Sequence, residues 1–155
     1  MMDRRDDEAL STLNDLIETC RDGERGFREA AEHLRDGRVR ELFDGFSRQR
    51  REFASELEQE LRRLGGEPPA GGTVTGAMHR GWMDVKSAVT GRDDKALVSE
   101  AERGEDAALR RYQDALNTEL PRPVRSTVQR QYTEVRQAHD RVRALERAFE
   151  HEDEE

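Results

Sequence analysis

The chain has 155 residues, the length of one domain, and it is 40% charged and 33% hydrophobic. Its formal net charge is −8, and its basic residues are spread among acidic ones, which argues against nucleic acid as a partner. The sequence shows neither a signal peptide nor an apolar run long enough to span a membrane, so we expect a cytoplasmic protein. A lone cysteine, Cys20, excludes a disulfide framework and a cysteine-based zinc site.

Apolar residues at steps of three and four predict two long helices in the first half of the chain. The first runs from about Asp6 to Arg35, and the second from about Arg38 to Leu64. Between them, Asp36-Gly37 predicts a short turn in which the glycine takes the left-handed conformation that ends many helices. Because so few residues separate them, these helices should form an antiparallel hairpin.

A glycine- and proline-rich stretch, residues 65–72, predicts a break after the second helix. A short helix over residues 74–90 should follow within a crossover connection, anchored on the bundle by Trp82.

Asp93 or Asp94 can cap a third helix that ends near Glu119, and Pro121 and Pro123 mark the start of a fourth. Residues 1–150 should form the single domain, and residues 151–155 an acidic, frayed tail.

The two halves of the chain resemble each other. Gly23-Glu24 in the first helix matches Gly104-Glu105 in the third, and residues 48–53 match residues 130–135. Two hairpins joined by a crossover of about 28 residues place the second and third helices parallel. We therefore predict an all-α, ferritin-like four-helix bundle with one long crossover, between the second and third helices, that carries a short extra helix.

Four stretches of the sequence also resemble a known family. They are residues 22–32 (DGERGFREAAE), 76–82 (GAMHRGW), 101–106 (AERGED) and 138–142 (AHDRV). Together they are similar to the bacterial PA2169-type four-helix-bundle proteins, also called domain of unknown function 2383, over nearly the whole chain. The resemblance implies a ferritin-like fold and brings no established activity.

Two glutamates fall on the apolar stripes of their helices. Glu24 lies four residues after Cys20 in the first helix, and Glu105 lies four after Ala101 in the third. A ferritin-like di-metal site takes one glutamate from each of two helices and a Glu-x-x-His motif from each of the other two. Glu24 and Glu105 match the two single carboxylates. Tyr112 and Tyr132 should face inwards, and we expect a tyrosine hydroxyl to bond to a central glutamate.

The other ligands of a di-metal site are mostly replaced. In the second helix Arg50 stands where the ligand glutamate belongs and Phe53 where the histidine belongs. In the fourth helix His139 fits the histidine position, but Arg136 lies three residues before it. A buried glutamate needs a partner, and the planar fork of arginine can bind a carboxylate through two hydrogen bonds.

We therefore predict a metal-free polar network in the bundle core, without a cofactor. Its members are Glu24, Gln49, Arg50, Glu105, Gln131, Arg136 and His139. The alternative is iron or another divalent metal, for which the two arginines would have to turn out into solvent. Its ligands would come from Glu24, Glu52, Glu105, Glu134 and His139.

For function, we expect a non-enzymatic bundle with a degenerate di-metal site that works through its surface, in a stress-related or an interaction role. A homodimer is compatible with this expectation, and the sequence names no protein partner. The alternative is an iron-handling protein or oxidase with a reduced site of Glu24, Glu105 and His139. Measuring bound metal separates the two.

Overall fold

The computed structural model describes residues 4–68 and 93–153, with side chains from 6 to 68 and from 93 to 151. These residues form four helices, whose bounds lie within a few residues of those predicted. The helices are α1 (Arg4–His33), α2 (Gly37–Arg63), α3 (Asp94–Leu116) and α4 (Arg122–Asp153). The short helix predicted over residues 74–90, with Trp82, lies outside the described residues.

The helices form a ferritin-like four-helix bundle, as predicted. Around it, α1 packs against α2 and α3, and α4 packs against α3 and α2. Helices α2 and α3 therefore face each other across a diagonal of the bundle. Among the described helices, none is both long and apolar enough to cross a lipid bilayer.

Short polar side chains fix the helix ends. The Asp36 carboxylate accepts hydrogen bonds from the backbone N–H groups of Arg38 and Val39 and so caps α2. The prediction that Gly37 is a left-handed stop is wrong, because Gly37 is the first residue of α2. The glycine with positive φ in the described residues is Gly65, at 85°, directly after the C-cap of α2.

The start of α3 is tied to the turn between α1 and α2. Asp93 caps α3 by accepting from the backbone N–H of Lys95. The carboxylate of Asp94 accepts from the backbone N–H groups of Arg35 and Asp36, each at 2.9 Å. These bonds fix the first hairpin against the second at one end of the bundle. At the other end of the chain, α4 continues to residue 153, so the predicted tail begins as helix.

The apolar core has two clusters, one towards each end of the bundle. The first includes Phe27, Phe43, Phe46, Leu97, Ala101 and Val142. The second includes Leu13, Ile17, Phe53, Leu57, Ala108 and Val135. On α2, Arg50 lies between Phe46 and Phe53, and on α3, Glu105 lies between Ala101 and Ala108. The bundle therefore has a polar layer between two apolar ones.

Candidate functional site

The centre of the bundle holds a buried ion pair between Arg50 on α2 and Glu105 on α3. Arg50 Nη1 donates to Glu105 Oε1 and Nη2 donates to Oε2, both at 2.6 Å. Arg50 is 1% exposed and Glu105 is 0% exposed. Parallel hydrogen bonds of this kind satisfy both charges at once. Because the pair spans the diagonal, it joins two helices that have no direct backbone contact.

The surroundings of Arg50 keep its guanidinium charged. Nε donates to the side-chain oxygen of Gln49 at 3.4 Å, and the guanidinium carbon lies 5.5 Å from the ring centre of Phe27. Burial lowers the pKa of Arg50, but the charge and hydrogen bonds of Glu105 more than compensate, so its pKa is raised above the usual value. The arginine therefore remains a cation in the core.

A glycine on α1 makes room for this arginine. A Cβ atom on Gly23 would lie 3.4 Å from Arg50 Cγ and from Nη1. That distance is ordinary van der Waals contact, so alanine fits at this position and a larger side chain would displace the guanidinium. Gly23 therefore contributes to the site by having no side chain, which leaves room for the side chain of Arg50.

Two predicted members of the network lie elsewhere. Glu24 was expected to point into the core, but it is half-buried. Its backbone carbonyl accepts from the Ser47 hydroxyl. The reason is helical phase: α1 turns Gly23 towards Arg50, and the next residue points about 100° away. Arg136 is exposed for the same reason, since it follows the buried Val135.

A second set of buried polar groups lies beside the ion pair. The Tyr112 hydroxyl donates to Gln131 Oε1 at 2.7 Å and lies 3.1 Å from Cys20 Sγ. Gln131 Nε2 in turn donates to the backbone oxygen of Phe53 and to Glu56 Oε1, at 3.3 and 3.1 Å. Tyr112 thus bonds to a glutamine rather than to a central glutamate. Sequence reasoning missed Glu56 because it lies beside the apolar stripe of α2 and not on it, and its side chain is half-buried.

Burial controls the acidity of two members of this set. It raises the pKa of Cys20 to about 11, although the hydrogen bond with Tyr112 acts in the opposite direction. Burial, then the charge and hydrogen bond of Cys20, raises the pKa of Tyr112 well above its usual value. Both groups therefore stay protonated at neutral pH.

The Cys20 thiol should resist modification in the native protein. At pH 8 a pKa of about 11 leaves about one thiol in a thousand ionised, and the side chain is buried. We expect a disulfide reagent such as Ellman's reagent to label the folded chain only as fast as the chain unfolds, and to label it at once in guanidinium chloride. Stoichiometric labelling of folded protein within minutes would contradict this expectation.

His139 is buried, at 6% exposure, and bonds to acids rather than to the central pair. Its Nε2 lies 2.5 Å from Asp106 Oδ1, and its Nδ1 lies 3.4 Å from Asp140 Oδ1. Asp106 directly follows Glu105, so α3 directs consecutive acids to two different partners. In the sequence, the acidic neighbour of Glu105 was a possible sign that Asp106 has a partner. The identity of that partner, His139, depends on the relative position of α3 and α4.

Near this histidine two glutamates lie close together. The carboxyl groups of Glu102 on α3 and Glu146 on α4 lie near each other. Partial burial, then the hydrogen bond and charge of Glu102, raises the pKa of Glu146.

The five residues of the predicted metal set are not brought together. Both oxygens of Glu105 accept from an arginine, Glu52 is exposed and Glu24 is half-buried. Glu134 pairs with Arg130 at 3.2 Å. These residues do not fit a di-metal centre in the bundle core, because the one carboxylate that reaches the centre is already neutralised.

Comparison with known proteins agrees with the fold. The structure is similar to that of a point mutant of Dps1 from Mycobacterium smegmatis, with a TM-score of 0.74 and 13% sequence identity. The alignment covers 94% of this chain and 99% of that chain. At such low identity the likeness shows the fold alone. No curated protein matches the sequence.

A family described as "domain of unknown function (DUF2383)" matches residues 8–118. The match includes α2 and α3, the helices that carry Arg50 and Glu105. Since it extends over more than half of the sequence, the chain belongs to the DUF2383 family.

Proposed function

We propose that this protein is a non-enzymatic ferritin-like bundle in which an ion pair takes the place of a di-metal centre. The observation that carries the proposal is the buried, two-fold hydrogen bond of Arg50 to Glu105. It commits both oxygens of the central carboxylate and leaves a guanidinium in the polar layer. A cation entering there would meet a fixed positive charge and would have to break both hydrogen bonds.

The role that follows is structural. The Arg50–Glu105 pair and the Tyr112–Gln131 bond join helices across the core, which fixes one packing of the four helices. The exposed faces are densely charged and of mixed sign, as suits a protein in the cytoplasm that works by contact with partners. We assign it an interaction or stress-related role on this basis, and a homodimer is compatible with it.

An iron oxidation assay tests the proposal against the oxidase alternative. Fe²⁺ is added to the full chain without oxygen, and its loss is followed after air is admitted. We expect the wild-type protein to oxidise Fe²⁺ no faster than an R50M/E105L double variant, which has no charged group at the centre. An acceleration of about tenfold or more by the wild type that E105Q abolishes would overturn the proposal.

A further inference from the structure

A mixed histidine and carboxylate cluster lies where α3 meets α4, outside the central pair. Glu102, Asp106 and His139 each offer one ligand atom, and these atoms all lie within 4.8 Å of one another. In the described part of the chain no other set of three acids, histidines or cysteines is so close. The ligand types and their convergence on one point are those of a divalent-metal site.

The helices hold these groups in position. Glu102 and Asp106 are four residues apart on α3, so their side chains lie on one face, one turn apart. His139 directs Nε2 at Asp106 and Nδ1 at Asp140, and the ring is 6% exposed, so it is held in place. A histidine that binds a metal through one nitrogen and bonds a carboxylate through the other has this arrangement.

Charge in the cluster is not balanced by the surrounding protein. Glu146, seven residues after His139 on α4, adds a third carboxyl group against Glu102. No lysine or arginine among residues 6–68 and 93–151 forms an ion pair with Glu102, Asp106 or Glu146. The central Glu105 has an arginine for its charge, whereas the acid that pairs with His139 is Asp106.

We propose that Glu102, Asp106 and His139 bind one divalent transition-metal ion. One imidazole with two carboxylates suits Zn²⁺, Fe²⁺ or Mn²⁺. The imidazole would bind the ion through Nε2 as a neutral ligand, with its proton on Nδ1, which faces Asp140 Oδ1. The site is separate from the centre, because it uses none of the groups that hold Arg50.

Calorimetric titration of the full chain with Zn²⁺ at pH 7 tests this proposal. We expect one saturable site with a Kd below about 100 µM. D106N should weaken binding by about tenfold to a hundredfold. Asp106 is half exposed, so this variant should fold, and its melting temperature is measured to verify that.

Matched controls separate the cluster from other histidines. H33Q and H151Q change exposed histidines and should leave the affinity for Zn²⁺ unchanged. In the wild-type protein, the ¹⁵N chemical shifts of the His139 ring should change when Zn²⁺ is added. The proposal is overturned by the absence of saturable binding, or by wild-type affinity in a folded E102Q/D106N variant. It is overturned equally by a loss of binding in H33Q or H151Q without one in D106N.

Discussion

Replacing Arg50 by methionine while Glu105 stays in place should lower the free energy of unfolding by about 3–5 kcal/mol. The methionine takes the place of the apolar stem of the arginine and removes its guanidinium, so the main loss is that of the charge partner. Glu105, at 0% exposure, would then be a buried carboxylate without a counter-ion. Urea denaturation, followed by circular dichroism, measures the change.

A double variant and a surface control make this experiment decisive. R50M/E105L removes both charges and should recover most of the lost stability, since well-packed apolar groups often replace a buried ion pair without cost. R51M changes the next residue on α2, which is exposed, and should alter stability by less than about 0.5 kcal/mol. If R50M behaves like R51M, the ion pair does not contribute to stability, and the structural role proposed for it is wrong.

The sequence predicts the helices well because their apolar stripes and end signals are local. Asp93 caps α3 as predicted. Within the described residues, the prediction for the turn at Gly37 is wrong because a glycine after an aspartate fits both a helix end and a helix start. The distinction depends on Asp36, whose carboxylate caps the following helix and leaves no need for a left-handed residue. At Gly65, directly after the C-cap of α2, the left-handed conformation is present.

The sequence predicts which residues of the candidate site face the core only as well as it predicts the rotation of each helix about its axis. Glu105 and Arg50 lie midway along their stripes, so any rotation that buries the stripe also buries them. For α1 the pattern allows either Gly23 or Glu24 to face inwards, since both fit the steps between Cys20 and Phe27. Packing settles the choice, because the long side chain of Arg50 fills the space over Gly23. A glutamate there would compete with Glu105 for one guanidinium.

Contacts between helices far apart in the sequence could not be predicted in this way. The bond from His139 to Asp106 depends on how α4 is shifted along α3, and no local signal fixes that shift. The same holds for Gln131, which donates to Phe53 and Glu56 on α2. The residue types suggested buried polar partners, but their pairing is a property of the assembled bundle.

Phe27 connects the polar layer to the first apolar cluster, and its loss should have the second large effect. Its ring centre lies 5.1 Å from that of Phe43 and 5.2 Å from that of Phe46, and the guanidinium carbon of Arg50 lies 5.5 Å from it. At 0% exposure, F27A should cost about 3–5 kcal/mol of unfolding free energy through the cavity that it leaves.

A leucine variant separates cavity formation from the contribution of the ring. F27L keeps most of the volume, so its smaller cost of about 1–2 kcal/mol should come from lost aromatic and cation–π contacts. Combined with R50M in a double-mutant cycle, F27L should show a coupling of about 0.5 kcal/mol or more. F149A, at a half-buried position near the end of α4, is the control with a smaller expected loss. Equal losses in F27A and F149A would show that the packing around Arg50 does not stabilise the bundle.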